Sequence, residues 1–139
     1  MQTRLVYRIE DADGLGPFQS EAARDAIDAW NYNFDVDNYP DPRHDEGFDF
    51  DALFDRVDEE KWSARVGCCS PEQLQHWFDE EQCQALAALG YSFVTYQVDP
   101  DYLVSGEFQA VFDRNHAETA ARLAACALWA KDTQQRLAA

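Results

Sequence analysis

Hydrophobic alternation near the start of the chain predicts a strand over residues 3–9. Leu5, Tyr7 and Ile9 fall on one face, Val6 and Arg8 on the other. Gly14, Gly16 and Pro17 then break the pattern, and Ser20 stands as an N-cap before a short helix with Ala23, Ile27 and Trp30 at helical spacing, ending near Trp30. Residues 63–69 predict a second short strand. It runs into Ser70-Pro71-Glu72-Gln73, where a capping serine, a proline at the first helical position and a glutamine at the third open a helix with Leu74, Trp77 and Phe78 on its buried stripe. A further helical piece from about Glu80 carries Cys83, Leu86 and Leu89 and stops at Gly90. Residues 91–98 predict a long strand, and the run Glu107–Phe112 another. The alanine-rich stretch from about Asn115 to Arg136 predicts a closing helix with Ala120, Leu123, Ala127 and Trp129 on its inner side. Together these elements predict an α+β class, a small mixed sheet of about four to five strands with three to five helices, in a single domain over residues 1–139.

Composition changes the picture in one place. The 139 residues carry 27 Asp and Glu against 11 Lys and Arg, a formal charge of -16, while 46% of the residues are hydrophobic and 14% aromatic. Such a chain has enough apolar matter for a core, so the acidity belongs to its surface. Much of the charge lies in residues 31–60, where Asp35, Asp37, Asp41, Asp45, Glu46, Asp49, Asp51, Asp55, Asp58, Glu59 and Glu60 are interleaved with aromatics and opposed only by Arg43 and Arg56. Pro40 and Pro42 exclude a continuous helix through its first part. From Phe48 onward, Phe50, Leu53, Phe54 and Val57 fit a helical stripe whose other face is carboxylate. This charge excludes direct grip on DNA, RNA or an anionic membrane face and predicts a basic partner. Carboxylates spaced like phosphates on an aromatic-stiffened surface would enter the groove of a basic nucleic-acid-binding host protein as DNA does.

Candidate chemistry is thin. Asp35 with Asp37 and Asp49 with Asp51 offer hard oxygen ligands, but the spacing lacks the glycine and terminal glutamate of a calcium loop. His44, His76 and His116 lack zinc spacing, so no metal is expected. Cys68, Cys69, Cys83 and Cys126 have no ribbon spacing and follow no apolar leader, which predicts reduced thiols in a cytoplasmic protein, with one of the adjacent pair in the core. No run is long and apolar enough to span a bilayer, and no phosphate loop or nucleophile elbow is present.

Two resemblances add expectations. Tyr7-Arg8 on a first strand, a strand running into Ser70 and a helix, the strand 91–98, and Glu107-Phe108-Gln109 opening another strand resemble the ADP-ribosyltransferase fold. The resemblance implies NAD as cofactor, with Arg8, Ser70 and Glu107 at the dinucleotide-binding and catalytic places and Gln109 where a catalytic glutamate is expected. A carboxamide at that place cannot hold the charge a carboxylate stabilises, which argues against turnover. The segments YRIEDADGLGPF, SPEQLQHWF and LGYSFVTYQV are similar to small phage and prophage proteins. That likeness implies an inhibitor of bacterial defence, of the anti-CRISPR type, acting in the host cytoplasm through the acidic segment and needing no catalytic residue.

Overall fold

The structure is a computed structural model that describes residues 2–29, 39, 40, 45 and 63–131. The expected helix from Phe48, with Phe50, Leu53, Phe54 and Val57, lies outside the described residues, as do Trp30 and all of the acidic segment except Tyr39, Pro40 and Asp45.

Six strands are described: β1 (Arg4–Glu10), β2 (Ala64–Gly67), β3 (Ser92–Val98), β4 (Leu103–Ser105), β5 (Ala110–Asp113) and β6 (Ala117–Ala124). Three α-helices occur among the described residues: α1 (Glu21–Ala26), α2 (Pro71–Trp77) and α3 (Glu80–Ala88). The α+β class read from the sequence holds, with the strands divided between two antiparallel three-stranded sheets, ordered β1-β3-β6 and β2-β5-β4.

Both faces of β1 are buried, and this organises the layers. Tyr7 and Ile9 join Phe93 against Leu74, Phe78, Cys83, Leu86 and Leu128 on the helical side. Val6 joins Val94, Tyr96 and Val98 on the opposite side, where Leu103, Ala110 and Phe112 of the second sheet cover them. β1 therefore reads as a continuous apolar run with two charged intruders, Arg8 and Glu10, rather than as one wet and one dry face.

Local signals set the helix starts. Ser20 accepts from Ala23 N–H, and Ser70 from Gln73 N–H at 3.0 Å. Gln73 reaches back to Cys69 N–H at 2.7 Å and donates to Glu107 O at 2.8 Å, stitching α2 to a distant turn. Asp79 and Gln82 form a reciprocal capping box before α3, and Gln82 also donates to Ile27 O.

Four expectations need correction. α1 stops at Ala26, and Leu89, expected on a buried stripe, caps α3 at 46% exposure. The strand expected from Glu107 starts at Ala110, because the N–H groups of residues 107–109 bond to Asp45 instead. The alanine-rich stretch is not a helix: residues 117–124 pair with the whole of β3 and a 3-10 turn follows over Ala125–Trp129. Helix propensity is worth only about 0.7 kcal/mol per residue at most for ordinary residues. Leaving one ladder edge of the buried central strand unpaired would cost far more, so pairing wins.

Among the described residues, one antiparallel bridge joins the backbones of the two sheets. Tyr7 N–H donates to Cys68 O at 2.8 Å and Cys68 N–H to Tyr7 O at 2.7 Å. Close approach here needs a residue without a side chain, since a Cβ on Gly67 would sit 2.7 Å from Val6 Cγ1 and 2.9 Å from Tyr7 O. Gly67→Ala is therefore expected to lower stability by about 1–3 kcal/mol, measured from urea unfolding midpoints. An unchanged midpoint would show that the bridge is not tightly packed.

Candidate functional site

β1 and β2 part immediately beyond the Tyr7–Cys68 bridge. A continued ladder would next pair Ile9 with Val66. Instead the Arg8 guanidinium takes the place of the missing strand bond: its Nη1 donates to Val66 O at 2.8 Å, its Nη2 to Gly14 O at 2.9 Å and its Nε to Glu10 Oε1 at 3.0 Å. One buried side chain thus ties β1, β2 and the 11–16 turn together.

Glu10 is the second hub. Its Oε1 also accepts the Tyr96 hydroxyl at 2.5 Å, and its Oε2 accepts Arg122 Nη2 at 3.1 Å, so β1, β3 and β6 share one carboxylate. Arg114 lies over the Tyr96 ring, 4.7 Å from its centroid. Burial pulls Arg8 below the usual arginine range, opposed by the charge of Glu10, and a guanidinium stays protonated through such a shift. Burial pushes the Tyr96 hydroxyl up, and its bond to Glu10 pushes the same way. Sequence reading missed Glu10, Tyr96 and Arg122. The available signal was a pair of opposite charges two residues apart on a strand otherwise made of core residues.

A cleft of about 960 Å³ opens where the strands diverge, lined on different sides by Arg8, Gly16, Arg65, Gly67, Trp77 and Gln109 among others. Of the four residues singled out by the ADP-ribosyltransferase resemblance, the fold brings Arg8 and Gln109 to this cleft, while Ser70 and Glu107 are not among its described lining. Three of the four side chains have structural partners. Arg8 is held by Glu10 and two carbonyls, Ser70 caps α2, and buried Gln109 donates its amide to Pro40 O at 2.7 Å. Glu107 is exposed.

Asp45 departs from the role expected of its segment. It is buried, and its carboxylate accepts from the N–H groups of Glu107, Phe108 and Gln109 at 2.8, 3.0 and 3.1 Å. A carboxylate spent on three backbone donors is no part of a partner-facing surface. Asp35, Asp37, Asp41, Glu46, Asp49, Asp51, Asp55, Asp58, Glu59 and Glu60 lie outside the described residues.

The buried thiols are poor nucleophiles. Cys68 is buried and pushed far up by desolvation, and Cys83 is pushed up to about 12 for the same reason. No group of three or more possible metal ligands occurs among the described residues, and no helix there is long and apolar enough to cross a membrane.

Against known proteins, the family profile described as Bacteriophage T4 Y00F protein matches residues 1–125. The chain belongs to that family. The match runs from β1 through β6, so the elements that carry the Arg8–Glu10 network all lie within the Y00F region. No curated protein and no solved structure matches the chain.

The raised Tyr96 sets the sign of a pH effect on this Y00F-family protein. A tyrosine ionises more readily in the unfolded chain than in the folded one here, so its contribution is complete below about pH 10 and is lost as pH rises through the folded value. Tyr7, raised by burial and then by Glu72, acts in the same direction. Tyr96→Phe should cost about 1.5–3 kcal/mol at neutral pH, by loss of a hydrogen bond to a charged group, and should make the alkaline fall shallower. Urea unfolding of both proteins at about pH 8 and about pH 10.5 checks this; identical pH slopes would contradict it.

Proposed function

We propose that this phage-family protein works by binding rather than by catalysis, as an inhibitor of a bacterial defence system of the anti-CRISPR type. Its target would be a basic, nucleic-acid-handling host protein, met through the acidic segment 31–60 in place of DNA. The observation that carries the reading is the charge: -16 overall, with eleven carboxylates in that segment against two arginines. Asp45 is turned inward, which leaves ten. Exposed carboxylates elsewhere, among them Glu21, Asp25, Glu72, Asp79, Glu80 and Glu81, extend the acidity over the helical side. A surface of this sign steers a basic partner and repels nucleic acid and anionic lipid.

The second reading, an ADP-ribosyltransferase-like enzyme or a degenerate relative using NAD, draws on one observation: Arg8 and Gln109 line the same cleft. It ranks lower. Transfer chemistry needs a carboxylate beside the departing nicotinamide, and an amide already bonded to Pro40 O occupies the corresponding place.

Capture of host proteins from a bacterial lysate tests the binding reading. A nucleic-acid-handling complex should be retained at about 0.1 M salt, where charges are screened over about 10 Å, and released at about 1 M, where the length falls to about 3 Å. The triple change Asp49→Asn, Asp51→Asn and Asp55→Asn should abolish capture and inhibition without altering the melting temperature. Inhibition that survives the triple change would overturn the reading.

A further inference from the structure

The cleft between the diverging strands is lined by three arginines, Arg8, Arg24 and Arg65, and two aspartates, Asp25 and Asp28, a slight positive balance in a chain of net charge -16. Arg65 stands on β2, half-buried, with its Nη1 bonded to the carbonyl of its own neighbour Ala64 at 2.9 Å. Arg24 stands on α1. Both line the cleft, and neither has a carboxylate within ion-pair distance among the described residues. Arg8 adds to this. Its counter-charge Glu10 is shared with the exposed Arg122, so the three groups together retain one net positive charge. Arg65 is also near enough to Arg8 to depress its pKa, as like charges do. In a chain with 27 acidic side chains and only 11 cationic ones, two guanidiniums over one cavity without an ion pair among the described residues mark a place suited to an anion.

The remaining wall is aromatic. Trp77 meets Tyr39 edge-on with ring centroids 5.3 Å apart and Phe18 at 6.4 Å, and Phe18 is 39% exposed. The volume, about 960 Å³, lies at the upper end of the roughly 300–1,000 Å³ usual for small-molecule sites. Unpaired guanidiniums beside flat apolar rings match a ligand that joins a phosphate to a planar base, since guanidinium binds phosphate in a bidentate way and aromatic faces stack on bases. Asp25 at the rim adds an acceptor suited to a sugar hydroxyl.

We propose that the cleft is a nucleotide-binding site, with Arg24 and Arg65 holding the phosphates and the base lying against the Phe18, Tyr39 and Trp77 wall. The site holds its ligand without converting it, and it does not rest on the basic-partner reading, which uses a different surface. A phage protein with such a site removes a free nucleotide from solution or answers to its concentration.

The test is calorimetric titration of the full chain with ADP, GDP, CDP and UDP, with adenosine and inorganic pyrophosphate as comparators. At least one nucleoside diphosphate should bind saturably with Kd below about 1 mM, and adenosine and pyrophosphate should each bind at least about tenfold more weakly than ADP or its best-bound counterpart. Arg24→Gln with Arg65→Gln should weaken that binding by about tenfold or more while the ligand-free melting temperature stays within a few degrees, because neither arginine holds an ion pair. If the double variant does not fold, Arg24→Gln alone, on the exposed side of α1, carries the same test. Absence of saturable binding by all four, binding of either comparator as tight as the nucleotide's, or full binding by a folded variant would each overturn the proposal.

Discussion

Where β1 and β2 separate, a strand carbonyl loses its ladder partner inside the protein, and the Arg8 guanidinium replaces it. A buried cation in that position is tolerable only because Glu10 lies two residues along the same strand, on the same face, and because Glu10 in turn is satisfied by Tyr96 and Arg122. Five elements are thereby bound to one ion pair: β1, β2, β3, β6 and the 11–16 turn. The layers follow from it. β1 can be buried on both faces because its two buried charged residues answer each other, and the second sheet can fold over the first because the bridge at Tyr7 and Cys68 ends where Arg8 begins.

The same constraint makes the cleft. Diverging strands leave a gap, Gly67 lets them touch at its closed end, and Arg8 supports its floor instead of projecting into it. The residue that a transferase-like reading would assign to a dinucleotide is thus tied to structure, and Arg24 and Arg65 are the guanidiniums with bonding capacity left over. Charge is unevenly distributed in this small protein: three arginines and two aspartates line the aromatic-walled cleft, while residues 31–60 hold eleven of the 27 acidic side chains.

Much of this was legible before the structure. β1, β2, α2, α3 and β3 fall within a few residues of their expected bounds because their signals are local: alternation, the Ser70-Pro71 start and the Gly90 stop. Residues 117–124 misled because alanine, arginine and leucine favour a helix locally, whereas the deciding partner, β3, is about twenty-five residues away in sequence. β4 was missed because its three residues, Leu103–Ser105, are too few to establish a period. Arg8 was legible as a candidate and its role was not. Its carbonyl partners Val66 and Gly14 come from two separate segments, and spacing carries no information about which segments close on it. Asp45 shows the same limit: one carboxylate in an acidic run is consumed by a turn more than sixty residues on, and no composition reveals which one.

The claim that this ion pair is the keystone is tested most directly by a double-mutant cycle of Arg8→Met and Glu10→Gln, read by urea unfolding. Each single change, leaving a buried group without its partner, should cost about 3–5 kcal/mol, and the double variant should cost less than their sum by about 1.5 kcal/mol or more. Single effects that add to within about 0.5 kcal/mol would contradict it, because Arg8 and Glu10 would then be acting independently rather than as the pair on which both sheets depend.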